Sequence, residues 1–334
     1  MAGMFNYFYL LQDIPLLDTS SVTNMGSMFY YCYKLKTIPK LDTSKVTNME
    51  SMFSSCKSLQ TIPRLDTSSV ESIRSMFYRC SVLQSIPQLD TSNVTSMYNT
   101  FAECTSLQTI PPLDSSKVTT MSSMFAGCTS LQSIPLLNTS NVTDMDSMFS
   151  GCSKLQTIPE LNTSNVEYMR NMFYDCGSLQ IIPPLDTSKV KNMDSMFKYC
   201  NSLQTIPPLD TSKVTNMASM FTSCNSLQTI QQLDMTNVTT VSSIYWNSGI
   251  FDGCSSLSYI RLVGSLNVGF SISATSKLDY DSVKSILTAA SNTVNTDSKT
   301  LKFNSTLTDQ NGELAALVST CTSKGWTING LTLN

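Results

Sequence analysis

Three sets of residues along this 334-residue chain carry side chains that could do chemistry. Cysteine is the first. Cys32 is followed at steps of 24 residues by Cys56, Cys80 and so on to Cys224, and then by Cys254. A column of thiols could form disulfides between neighbours, hold a metal as thiolates, or pack as small buried apolar groups. Aspartate is the second. Asp18, Asp42, Asp66, Asp90, Asp114, Asp186, Asp210 and Asp234 keep the same period, with Asn138 and Asn162 in register. Carboxylates so placed could bind calcium or cap turns. The two asparagines keep the oxygen and drop the charge, which favours turns. The third is a scatter of tyrosine and arginine, the residues enriched at binding hot spots. Histidine is absent, which removes imidazole-based catalysis and histidine metal sites. With no phosphate-binding glycine loop and no Cys-x-x-Cys pair either, the expectation is a protein that is not an enzyme and needs no cofactor or metal.

The elements that position these residues follow from the period. Phe29 to Phe221 recur every 24 residues, and Phe251 follows after a six-residue insertion. A leucine lies six residues after each phenylalanine (Leu35 to Leu257) and an isoleucine nine after (Ile38 to Ile260). A strict period of this size is the signature of a solenoid of stacked coils. In one coil Met49, Met52, Phe53 and Cys56 fall at i, i+3, i+4 and i+7, one face of a short helix. Leu59 and Ile62 then lead into a short strand that Pro63 ends, and Asp66-Thr67-Ser68 turns the corner. On this reading the methionines and cysteines are core, and Phe8, standing where the first partial coil would carry its cysteine, favours packing over bridging or ligation.

The run Cys-x-Ser-Leu-Gln-x-Ile-Pro-x-Leu-Asp-Thr-Ser-x-Val-Thr-x-Met-x-Ser-Met-Phe resembles the BspA-like leucine-rich repeat proteins. More closely it is similar to a bacterial surface repeat family with units of the type LDTSKVTNMSSMF, which also occurs in bacteriophages of gut bacteria. The resemblance covers residues 1 to about 262. It implies a leucine-rich-repeat-like α+β solenoid of about ten 24-residue coils, each a short helix plus a short parallel strand. It also implies a role in adhesion or surface recognition. Residues 242–249 interrupt the last coil, and residues 263–334 read as a helix-strand-helix-strand cap. There Val283, Ile286, Leu287 and Ala290 share one helix face, Leu314, Leu317, Val318 and Cys321 share another, and Asp281 and Asp309 are the expected N-terminal caps.

Function should lie where the coils differ. Arg74 with Tyr78, Arg170 with Tyr174, and Tyr30 with Gly26 are each four apart, so on a helix they would share the outer face. Tyr31, Arg79, Tyr98, Tyr168 and Tyr199 extend the pattern, and Tyr245 and Trp246 in the insertion form a second candidate. The alternative is an ordinary solvated face. Phe5, Tyr7, Phe8 and Tyr9, in a partial first coil, are candidates for assembly with another copy or a virion partner. Only 13% of residues are charged and the net charge is −3, without the basic face that nucleic acid requires. No apolar run approaches the ~20 residues of a membrane span, and the chain shows neither a signal peptide nor an anchor. The expected placement is extracellular, on a bacterial surface or a phage virion, with a protein or a glycan as ligand. A phage fibre or decoration protein docked through the N-terminal end is the rival reading.

Overall fold

The phenylalanines stack. In the computed structural model, which describes residues 1–242, 248–297 and 299–334, Phe29 and Phe53 lie 5.7 Å apart between ring centroids and 8° from parallel. Phe53, Phe77, Phe101 and Phe125 continue at 5.7 Å spacings. Each such pair adds roughly 1 kcal/mol beyond the apolar area it buries. Around this column the methionines, cysteines, leucines and valines of the repeat are buried, most of them completely. The chain forms two compact units, Met1–Val166 and Glu167–Asn334. In the second unit the stack runs Phe173, Phe197, Phe221, Phe251. The insertion between the last two leaves their rings 6.0 Å apart and nearly parallel.

The segment expected to be a short helix is not one. Its backbone N–H groups alternate between two destinations. Met25, Ser27, Phe29 and Tyr31 donate to the next coil, at Asn48, Glu50, Met52 and Ser54 O, over 2.8–2.9 Å. Met28, Tyr30 and Cys32 donate to the carbonyl three residues back, at 3.1–3.2 Å. Two residues per coil take the left-handed conformation to allow this, Ser27 at φ 55° and Tyr31 at φ 62° in this one. A helix needs every φ negative and every N–H turned along its own axis. Here half of the donors stitch one coil to the next, so the same i, i+3, i+4, i+7 spacing lines a core without a helix.

The strand expected in each coil is also absent from most of them. Parallel pairing is reduced to isolated bridges, nearly all just before the first methionine, from Asn24–Asn48 along to Thr120–Asp144 in the first unit, with Thr205–Thr229 at the strand position in the second. Among the described residues of the coils, true strands are β1 (Thr229–Asp234) and β2 (Tyr259–Val263), which pair in parallel. These are the coils in which Gln231 and Arg261 follow the isoleucine, where the earlier coils, from Ile14-Pro15 to Ile206-Pro207, carry proline. Proline donates nothing to a ladder.

The remaining elements are β3 (Phe270–Ser271), α1 (Tyr280–Ser291), β4 (Thr300–Leu307), α2 (Glu313–Ser323) and β5 (Thr327–Leu333). The strands make a parallel sheet in the order β3-β4-β5. Helix α1 packs on β2 and on α2, and α2 packs on β5. The face of α1 is buried as its spacing predicts, but on α2 only Leu314 and Cys321 are buried. The cap of α1 is Asp279, not Asp281, because its carboxylate reaches the Ser282 N–H at 2.8 Å. Asp309 does serve α2, accepting from Leu314 and Ala315 N–H. No described helix is long and apolar enough to cross a membrane.

Candidate functional site

The cysteine column is a set of free, buried thiols. Each thiol from Cys32 to Cys254 whose contact is described donates to the carbonyl of the phenylalanine one coil back, as Cys56 Sγ does to Phe29 O at 3.1 Å. Burial pushes the Cys32 thiol up to about 11 and those of Cys128 and Cys254 up to about 12. Burial keeps such a thiol protonated at neutral pH. The aspartate column makes turns. Asp18, Asp42 and Asp66 each accept from the N–H and hydroxyl of the serine two residues on, at 3.1 and 2.7 Å. Asn138 and Asn162 make the same pair of bonds. The serine bonds hold these carboxyls below their ordinary value. Among the described residues no three His, Cys, Asp or Glu side chains converge as a metal site.

The tyrosines do come together, between coils and not along a helix. Tyr7 stacks on Tyr31 and Tyr9 on Tyr33, both at 5.3 Å and 27°. Tyr30 meets Tyr31 edge-on at 4.4 Å and Tyr7 at 5.5 Å. Burial first, then the hydrogen bond and charge coupling with Tyr31, raise the Tyr30 phenol to about 12, so it stays a proton donor throughout the physiological range. Phe5 belongs to the core column, stacked 5.6 Å above Phe29, with Phe8 edge-on to it and exposed. Cations border the cluster: Lys57 Nζ sits 4.7 Å from the centre of the Tyr33 ring, and Arg79 lies 4.9 Å from that of Tyr78. Arg74 does not share a helix face with Tyr78. It lies over Tyr98, one coil on, and 3.9 Å from Glu50. Arg79 is likewise 3.9 Å from Glu103. Both ion pairs are half-exposed, where such pairs contribute little.

In the second unit Tyr174 and Tyr199 meet edge-on at 5.5 Å, and Lys198 Nζ lies 5.2 Å from the Tyr199 ring. Tyr168 is exposed beside its bridge to Asn192, and Arg170 follows two residues later in the same coil. Ser242 and Gly249 pair across the base of the insertion; Tyr245 and Trp246 lie outside the described residues. The base rests on a polar shelf, with Ser219 Oγ 2.7 Å from Ser248 Oγ and Thr222 Oγ1 donating to Gly249 O.

Two features escaped the sequence reading. Tyr33 and Lys57 occupy the position just after cysteine, so a comparison of coils at that position would have found them. The other is a groove of about 1290 Å³ in the first unit, walled by Leu16, Lys40, Arg64 and Gln88 and floored by the aspartate turns. Its signal is the variable residue in the repeated Pro-x-Leu-Asp.

Stacked coils, buried thiols and a half-buried aromatic cluster define a repeat protein. Residues 1–111, 97–202 and 178–281 each match the family described as Mycoplasma protein of unknown function, DUF285. The chain belongs to that family. No curated protein matches the sequence. Among solved structures, a leucine-rich repeat protein from Eubacterium ventriosum is 19% identical over 77% of this chain and 82% of its own, with a TM-score of 0.42. The leucine-rich repeat protein of T. pallidum is 19% identical over 65% and 74%, with a TM-score of 0.28. The functional domain of InlJ from Listeria monocytogenes, described as including a cysteine ladder, is 14% identical over 87% and 75%, with a TM-score of 0.24.

Proposed function

We propose that this chain is a non-enzymatic recognition protein of the BspA-like kind, acting outside the bacterial cytoplasm in adhesion to a protein or glycan. The observation that carries this reading is the tyrosine cluster of the first unit. Its rings are held by one another, so a ligand would meet side chains whose freedom is already spent. Residues 263–334 close the repeat as a cap, and many weak contacts along the coils give avidity when copies are displayed together. The test is binding of the purified chain to arrays of glycans and of extracellular matrix proteins, with Tyr31→Ser and Tyr33→Ser beside the parent. Loss of a bound ligand in both variants, with melting unchanged, supports the reading. An array on which nothing is retained sinks it, as would turnover of any arrayed substrate.

The rival reading, a virion fibre or decoration protein docked through the first coil, draws support from the exposure of Met4, Phe8 and Leu10. Light scattering of the parent beside Phe8→Ser/Leu10→Ser separates the two. A defined oligomer that dissociates in the variant favours the virion component, and a monomer in both favours the free adhesin.

A further inference from the structure

The chain is acidic overall, yet residues 19–41 carry Lys34, Lys36 and Lys40 and no carboxylate. Lys34, Lys36 and Lys57 are exposed, and none is among the ion pairs of the described residues. In contrast, Arg74 and Arg79 further along the same unit face Glu50 and Glu103. Of the ammonium groups, Lys57 lies against the Tyr33 ring, and Lys34 and Lys36 follow Tyr33 closely in the chain; burial and then the neighbouring tyrosines raise the Tyr33 phenol, with Arg79 acting against them. Because Tyr7 stacks on Tyr31 and Tyr9 on Tyr33, ring faces are largely turned toward other rings. Among the side chains between the tyrosines, Phe29, Cys32 and Leu35 are fully buried. Phenol edges and ammonium groups are thus what this patch offers: hydrogen-bond donors and positive charge, repeated at the spacing of stacked coils.

We infer that the Tyr31–Tyr33–Lys57 face of the first unit binds an anionic glycan, through carboxylate or sulfate groups set along a repeating polymer. The inference rests on the recognition reading above and names its ligand class. Charge complementarity selects the anion. The fixed donors suit sugar hydroxyls and ring oxygens.

Calorimetric titration of the full chain with heparin, hyaluronan and neutral dextran tests this, beside Lys34→Gln/Lys57→Gln and, as a control in the second unit, Lys213→Gln. Heparin or hyaluronan should bind, with dextran inert, and binding should weaken as salt rises. The double variant should lose roughly tenfold in affinity at unchanged melting temperature, and the control should keep the parent's affinity. Anionic glycans that fail to bind, or that bind the double variant as well as the parent, overturn the inference. So does tighter binding to phosphatidylserine vesicles than to either glycan. If arrays retain a protein or a neutral glycan while the anionic ones are ignored, this inference falls and the recognition reading stands; if nothing is retained, both fall.

Discussion

Ser55 sits in the column of left-handed residues that precedes each cysteine, at φ 63°. Gly127, Gly151 and Gly253 occupy the same column at φ 73–78°. An L-residue there costs about 1 kcal/mol that glycine does not pay. Ser55 is also buried, and its hydroxyl has no hydrogen-bond partner. Ser55→Gly should therefore stabilise the chain by about 1 kcal/mol, read as a higher denaturant midpoint, whereas Gly127→Val should lower it by a similar amount. The thiols supply a second prediction at this scale. Their folded-state values lie above the ordinary value of 9.0 because burial disfavours the thiolate. A raised value means that stability is intact below about pH 9 and falls as pH climbs toward 12, since the unfolded chain sheds thiol protons that the folded one retains. Melting temperature should be flat from neutrality to about pH 8 and drop steeply beyond about pH 9. Thiol reagents at pH 7 should label none of the column until denaturant is added; rapid labelling of the native chain would contradict the burial.

At the scale of elements, the strand and the proline exclude one another. β1 and β2 form where Gln231 and Arg261 replace the proline. Yet the coils that carry proline bury their phenylalanines just as completely. The core column thus holds the coil and the strand is incidental. Gln231→Pro should remove slow-exchanging amides from β1 and shift stability by no more than about 1 kcal/mol. Phe101→Ala, which leaves every strand intact, should cost about 3–5 kcal/mol. A larger effect from the proline than from the alanine would reverse this ranking. The alternation of N–H groups explains why: the turn segment is tied to its neighbours by backbone bonds that no proline interrupts.

At the scale of the molecule, near-identical coils are exchangeable. Excising residues 97–120, one full period, brings Tyr98's neighbours on either side into the register they already use, since Ser72 bridges Ser96 as Ser96 bridges Thr120. The shortened chain should fold, with a lower melting temperature and an unchanged circular dichroism profile per residue. Removing residues 97–108, half a period, should prevent folding, because every buried column would then face a mismatched neighbour. Much of this was legible in the sequence. The period, the membership of the core and the turn role of Asp18 and Asn138 all follow from spacing and from what each substitution preserves. The contact of Arg74 with Tyr98 was not, since it depends on which coil the side chain faces.

Sequence alone determined that the coils repeat, that phenylalanine, methionine and cysteine of the repeat face inward, and that these 334 residues carry no histidine. Polarity and period are properties of the residues themselves, and any fold of this chain must respect them. Only the tertiary structure decided that the Met-Phe-Cys segment is a string of turns. Apolar residues at i, i+3, i+4 and i+7 fit a helix and an inward-facing coil equally well, and the choice rests on where each N–H finds its carbonyl. For Ser27, Phe29 and Tyr31 that carbonyl lies in the next coil, a partner that becomes available only when the coils stack. The same stacking brings Tyr7, Tyr31, Tyr33 and Lys57 from three coils onto one face, and no single repeat contains that surface.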